Sequence, residues 1–196
     1  MFIDYVSLML INMSAGFFLL AIFIYKGLDS PDRKIWAPGF LAAGAIAFLC
    51  GLHMIWAWPL PGSYNSAFGE MSVFLGIIFL AAALALAKGY DLFPIGIYSA
   101  FAGLAAVVLG IRIINLRLTA EPLISGIGFI LSGLSGVCVL PVLYLRTKRF
   151  LIVFCTIILI VTSLIWAQTG YMAYWGHMSG FSKWIPSTMH QTDVNK

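Results

Sequence analysis

Residues 51–70, GLHMIWAWPLPGSYNSAFGE, end one long apolar run, turn through two prolines and a glycine, and begin a second apolar run. A bilayer core about 30 Å thick needs about 20 apolar residues to be crossed as a helix. Because proline and glycine punctuate chains at such turns, the stretch predicts a short loop between two membrane-spanning helices. The same alternation of apolar run and turn recurs along the rest of the chain.

The composition of the whole chain supports a membrane location. Of its 196 residues, 62% are hydrophobic and only 9% are charged, and the mean hydropathy is +1.01. Such a chain has too few polar side chains to cover a water-facing surface. Its net charge of +4 comes from scattered Lys and Arg residues, which form no basic stripe, so no nucleic-acid partner is predicted. The predicted partners are the lipid bilayer and either further copies of this chain, in a homo-oligomer, or other subunits of a larger membrane complex.

Six windows are long and apolar enough to span a membrane. The sequence therefore predicts an all-α, polytopic bundle of six transmembrane helices over residues 1–175. The polar residues 176–196 are predicted to form an interfacial tail. The six predicted spans are Tyr5–Tyr25, Ala37–Trp58, Phe68–Ala87, Leu92–Ile114, Leu123–Leu145 and Phe150–Trp175.

The Lys and Arg residues predict how the bundle is oriented in the cell membrane. Seven of them fall in or beside the first, third and fifth loops: Lys26, Arg33, Lys34, Lys88, Arg146, Lys148 and Arg149. Positive loops face the cytoplasm. Loops 26–36, 88–91 and 146–149 are therefore predicted to be cytoplasmic, and both termini extracytoplasmic.

Glycines recur in the fourth and fifth spans with a spacing that places them on one helix face. Gly96, Gly103 and Gly110 are seven residues apart in the fourth span, and the fifth span carries Gly126, Gly128, Gly133 and Gly136. Small residues allow helix backbones to approach closely in lipid. The pattern predicts close helix packing there.

Most polar groups within the spans are predicted to lie at the extracytoplasmic end. A strongly polar group inside a span is costly and often functional. His53, Glu70 and Asp4 are the candidate ligands for a metal or small molecule, and Arg112 is their expected charge partner. No catalytic residue is assigned. The expected pocket lining consists of Asn12, Trp56, Asn115, Gln168, Tyr171 and His177.

Each of the main candidates also has a structural interpretation. His53 can donate a hydrogen bond to a backbone carbonyl, and Glu70 can stabilise the start of a helix through the helix dipole. Arg112 can extend towards lipid phosphates. Their common depth nevertheless predicts an outer polar pocket that binds a metal ion, haem or another small ligand.

Three classes of function follow from this pattern, and the sequence leaves them open. The first is binding of a metal, haem or small ligand, where the aromatic residues would equally suit a quinone or lipid tail. The second is an accessory membrane subunit without chemistry, in which the same residues form a structural ion-pair network. The third is a channel or transporter that works as a homo-oligomer. Nucleophile-elbow, phosphate-loop and dinucleotide motifs are absent from the sequence, so whether the protein is an enzyme stays open.

Four blocks of the sequence carry a resemblance to a known family. They are FIDYVSLMLIN at residues 2–12, KGLDSPDRKIWAPGFLAAG at 26–44, the stretch at 51–70, and WAQTGYMAYWGHMSGFSKWIP at 166–186. Together they resemble a family of small bacterial and archaeal membrane proteins grouped only as a domain of unknown function. The resemblance covers nearly the whole chain. It implies a six-span membrane protein and supplies no catalytic residue, substrate or cofactor.

Overall fold

Residues 4–182 of the protein are described by a computed structural model. They form six long helices joined by short turns, and no strand occurs in this part of the chain. The helices are α1 (Val6–Ile22), α2 (Ala37–Ala57), α3 (Met71–Lys88), α4 (Phe93–Leu116), α5 (Pro122–Tyr144) and α6 (Arg149–Phe181). A π-helical turn, Phe23–Gly27, extends α1, and another, Asn65–Glu70, leads into α3. A 3-10 turn, Arg33–Trp36, precedes α2.

The prediction of an all-helical bundle with six membrane-spanning helices is confirmed. All six helices are long and apolar enough to cross a membrane. The largest difference in boundary is at the end of α6, which the sequence places at Trp175 and which continues to Phe181. Residues 176–181, expected to belong to a polar tail, therefore prolong the last helix. The rest of the predicted tail, residues 183–196, lies outside the described residues.

Helices α4 and α5 contact each other through their backbones. A Cβ atom added at Gly103 or Gly133 would come within 3.0 Å of the carbonyl oxygen of the other glycine. A Cβ atom added at Gly110 or Gly126 would likewise come within 3.0 Å of the carbonyl oxygen of the other glycine. The predicted close packing of the glycine faces is therefore found, and these two helices form a tight antiparallel pair.

Two further helix pairs use other small residues. In the α2–α3 pair, Gly76 lies directly against the backbone of Phe48. In the α1–α6 pair, the Ser14 and Ser163 hydroxyls donate to each other's backbone carbonyl oxygen at 2.8 and 2.9 Å. The bundle thus consists of three antiparallel pairs, α1–α6, α2–α3 and α4–α5.

Contacts between loops define the two ends of the bundle. At one end, the Arg149 guanidinium lies 4.5 Å from the centre of the Tyr25 ring, and Arg146 pairs with Asp91 at 3.2 Å. The seven basic residues named above belong to this end, which we call the basic end. The opposite end, called the polar end, contains the start of α1, the turn between α2 and α3, and the last turns of α6.

The turn at residues 51–70 is organised by a buried asparagine. The Asn65 side-chain oxygen accepts a hydrogen bond from the Leu60 N–H at 3.0 Å, and its amide donates to the Leu60 carbonyl oxygen. Trp58 ends α2 in a left-handed conformation with φ of 45°. Asn65 therefore satisfies the backbone of the Pro-rich loop where α2 reverses into α3.

Candidate functional site

Five side chains at the polar end form two neighbouring hydrogen-bonded groups, one around Asp4 and one between Tyr5 and His53. This polar cluster consists of Asp4, Tyr5, Ser7, His53 and His177. His177 Nδ1 lies 2.7 Å from Asp4 Oδ2, and the Ser7 hydroxyl donates to Asp4 Oδ1 at 3.0 Å. Ser7 is fully buried, whereas the side chains of Asp4 and His177 are 15% and 43% exposed. The carboxylate of Asp4 therefore joins the start of α1 to the last turns of α6.

The geometry of this group differs from that of a serine-nucleophile triad. Ser7 Oγ lies 3.2 Å from Nδ1 of His177, the same nitrogen that faces Asp4. In a triad the serine and the carboxylate contact opposite ring nitrogens. Nε2 of His177 makes no hydrogen bond within residues 4–182. Asp4 consequently orients the imidazole and leaves one ring nitrogen available for a ligand or a proton.

The second histidine of the cluster is held by the residue next to Asp4. His53 Nδ1 lies 3.4 Å from the Tyr5 hydroxyl, and the two rings meet edge to face with centroids 5.4 Å apart. The His53 side chain is exposed. Asp4 and Tyr5 thus connect the N-terminal end of α1 to α6 on one side and to α2 on the other.

The structure does not gather the other expected ligands around this cluster. Glu70 and Arg112 are exposed and make no hydrogen bond or ion pair within residues 4–182, so the expected pairing of Arg112 with Glu70 or Asp4 is not found there. Glu70 ends the π-helical turn before α3, and its side chain is exposed. Within the described part of the chain, no three His, Cys, Asp or Glu residues lie close enough to hold a metal ion.

The expected lining residues are dispersed in the same way. Asn12 is buried and donates to the Ala43 carbonyl oxygen at 2.9 Å, so its amide joins α1 to α2. His177 alone among them reaches the polar cluster. The remaining lining residues are exposed on the outside of the bundle: Trp56, Asn115, Gln168 and Tyr171.

An apolar internal space lies elsewhere, between α3 and the α4–α5 pair. This space, which we call the seam cavity, has a volume of about 110 Å³ and is also bordered by α1. Its lining along α3 runs from Met71 to Leu86, which corresponds to about 22 Å of helix. Because a volume of about 110 Å³ is spread along this length, the cavity is narrow, and its lining covers a length of helix comparable with most of the thickness of a bilayer core.

The lining of the seam cavity is almost entirely apolar. Its polar side chains within the described residues are Ser99 and Ser132. Ser99 donates to the Gly136 carbonyl oxygen at 3.2 Å, and Ser132 donates to Gly128 and accepts from the Trp166 indole at 2.8 Å. Both hydroxyls are therefore already engaged, and the cavity offers an occupant an apolar surface.

Sequence reasoning missed Ser7, Tyr5 and the seam cavity. A signal existed for Ser7, because it follows Asp4 by three residues and so lies on the same helix face. Tyr5 was treated as the first residue of a span. The cavity had no signal, because nearly all of its lining residues are ordinary apolar residues, they come from five separate helices, and only the packing of those helices leaves the space.

Comparison with known proteins identifies the family of the chain. The profile of the family described as "Protein of unknown function (DUF981)" matches residues 1–180. The chain belongs to this family. Searches of curated proteins and of solved structures returned no match. The family assignment agrees with the resemblance carried by the four sequence blocks, and the description of the family names no activity.

Proposed function

We propose that the protein binds the apolar chain of a lipid-like molecule in the seam cavity. The observation that carries this proposal is the shape and lining of the cavity, which is narrow, about 22 Å long along α3 and free of charged side chains within residues 4–182. Transfer of apolar surface into an apolar site is favourable, and a narrow site selects an extended chain over a ring system.

The same observation weighs against the metal and haem alternatives inside the cavity. Its lining in the described residues contains no His, Cys, Asp or Glu, and the thioethers of Met13 and Met71 are its only sulfur ligands. Haem iron in proteins is held by His, Cys, Tyr or Met together with a pocket wide enough for the macrocycle. An ion pathway is also disfavoured, because ions require polar lining to replace their hydration shells.

The surroundings of the cavity provide a route for a chain to enter. Leu75 and Ile78 on α3 and Ala102 on α4 line the cavity and remain partly exposed. At this depth the medium outside the bundle is the hydrocarbon of the bilayer. Lipid chains therefore reach the seam between α3 and α4 directly, without crossing water.

A photoreactive lipid tests the proposal. The protein is reconstituted with a phospholipid that carries a diazirine in one acyl chain, and labelled peptides are identified by mass spectrometry. In Ala102→Phe, the new ring occupies the cavity, and labelling of residues 71–86 falls about 5-fold, corresponding to about 1 kcal/mol of lost binding. Ala105→Phe places the same ring on the exposed side of α4 and leaves labelling unchanged. Equal labelling in both variants would overturn the proposal.

We also propose that the basic end faces the cytoplasm, with the polar cluster outside. The concentration of Lys and Arg at the basic end supports this orientation. Single cysteines introduced at Asp29 and Ser63, at opposite ends of the bundle, test it with a membrane-impermeant maleimide applied to intact cells. Labelling at residue 63 and protection at residue 29 are expected. The reverse pattern would contradict the orientation.

A further inference from the structure

The seam cavity has a polar neighbour at the basic end of the bundle. Leu143 lines the cavity and also lines a shallow surface pocket that includes Asp91, Arg146 and Thr147. Phe93 lies in the same pocket, directly after the cavity residue Leu92. A layer of side chains that includes Leu143 therefore separates the apolar cavity from a surface pocket that contains charged and hydroxyl groups.

Arg146 is held in a defined position within this pocket. Its Nε donates to the Leu143 carbonyl oxygen at 3.2 Å, and its Nη2 donates to Asp91 Oδ2 at 3.2 Å. The other carboxylate oxygen of Asp91 accepts the Phe93 N–H at 2.7 Å at the start of α4. The guanidinium is thus fixed by two elements at once, while its Nη1 makes no hydrogen bond within residues 4–182.

The charge around the pocket favours an anionic group. The basic end carries the seven Lys and Arg residues named above against the carboxylates of Asp29, Asp32 and Asp91. Lys88 and Lys148 border the two loops that form the pocket, and neither has an ion-pair partner within the described residues. Arginine binds phosphate through charge-assisted hydrogen bonds in a fixed fork geometry. Basic residues at the cytoplasmic surface also attract anionic lipids.

We infer that the occupant of the seam cavity is an anionic phospholipid of the surrounding bilayer, with its phosphate at Arg146 and one acyl chain extending past Leu143 into the cavity. This inference rests on the proposed function, because it assigns the head group of the same bound molecule. It makes Arg146 the residue that determines head-group preference, and it makes Asp91 a competitor for the guanidinium.

Two lipids with identical chains and different head groups test this inference. The protein is reconstituted in equimolar phosphatidylglycerol and phosphatidylcholine, each in turn carrying the acyl-chain diazirine, and labelling of residues 71–86 is compared. Phosphatidylglycerol is expected to label about 5-fold more strongly, equivalent to about 1 kcal/mol, because its head group has a net negative charge whereas the choline cation offsets the phosphate charge of phosphatidylcholine. Arg146→Gln lowers this ratio to about one while total labelling persists. Lys34→Gln, an exposed cation of another loop at the same end, leaves the ratio unchanged.

A second variant keeps the test independent of any loss of folding in Arg146→Gln. Asp91→Asn removes the carboxylate that competes for Arg146, so the preference for phosphatidylglycerol rises. A ratio near one in the wild-type protein, an unchanged ratio in Arg146→Gln, or a lowered ratio in Asp91→Asn would overturn the inference. Failure of the proposed function looks different, because labelling of residues 71–86 would then be the same in Ala102→Phe and Ala105→Phe for both lipids.

Discussion

Two interfaces on neighbouring sides of α4 are built in opposite ways. Towards α5, the glycines of α4 face glycines, and the two backbones are in contact at Gly103 with Gly133. Towards α3, the partner helix presents large side chains, and the Phe74 ring lies 6.2 Å from the Tyr98 ring across the seam. On α4, the glycines allow backbone contact with α5, whose facing residues are also glycines. Where rings and branched chains face them, a cavity is left.

This difference has a physical reason that is particular to membranes. In water, the hydrophobic effect would favour closing a gap between apolar helices. In lipid that driving force is missing, and helices associate through packing, hydrogen bonds and lipid entropy. The bilayer itself can fill the seam with an acyl chain. An open apolar seam is therefore tolerable in this bundle, while the other interfaces provide the stability.

The largest loss of stability is expected when the α4–α5 interface is forced apart. In Gly133→Ala, the new Cβ would come within 3.0 Å of the Gly103 carbonyl oxygen and of the Val107 backbone nitrogen, neither of which can move easily. Overpacking of this kind costs about 1–3 kcal/mol. The midpoint of thermal unfolding in detergent micelles measures the loss.

Gly176→Ala is the matched control for this change. A Cβ at Gly176 meets no atom within 4 Å, and alanine is favoured over glycine in a helix by about 0.5–1 kcal/mol. This variant is therefore expected to be as stable as the wild type or more so. Equal destabilisation by the two alanines would show that the glycines of α4 and α5 are not in backbone contact.

The next effect concerns the hydrogen bonds that close the α1–α6 pair. Ser163→Ala removes the hydroxyl that donates to the Ser14 carbonyl oxygen at 2.9 Å and contacts the Ser14 hydroxyl at 3.1 Å. Hydrogen bonds between membrane helices contribute about 0.6 kcal/mol on average and up to about 1.7 kcal/mol. Ser179→Ala, on the exposed outer part of α6, is expected to have no measurable effect. A Ser163→Ala protein as stable as this control would contradict the assigned role.

These cases show which parts of the molecule could be predicted from sequence. Apolar runs of about 20 residues predict spans without any knowledge of tertiary contacts, and the recurring glycines predict close helix packing at the fourth and fifth spans. The site depends on which helices become neighbours. Asp4 and His177 are separated by nearly the entire chain, and Arg112 lies at a suitable depth but on an exposed face. Depth along a helix can be read from sequence, whereas the angular position of a side chain around the bundle cannot.

A smaller effect is expected at the polar cluster, where water competes with the protein for hydrogen bonds. Asp4→Asn removes the charge from the carboxylate that contacts His177 at 2.7 Å and Ser7 at 3.0 Å. Because the histidine is partly exposed, the expected loss is about 1 kcal/mol, within the range of ordinary hydrogen bonds. Thermal unfolding of Asp29→Asn, an exposed carboxylate at the basic end, is the control. If both variants unfold at the same temperature, the cluster does not stabilise the α1–α6 pair.

The smallest effect on stability is expected for Asp91→Asn, in the surface pocket at the basic end. The ion pair with Arg146 is exposed, with 32% of the Arg146 side chain and 63% of the Asp91 side chain accessible, and such pairs contribute about 0–1 kcal/mol. The difference in stability between Asp91→Asn and the wild type should be smaller in 1 M salt, where the screening length is about 3 Å. Thermal unfolding in low and high salt, with Asp32→Asn as the control, measures the loss of stability and its dependence on salt. A loss as large as that of Gly133→Ala would mean that the Asp91–Arg146 pair is a principal contact between the α3–α4 loop and the α5–α6 loop, rather than a weak surface ion pair.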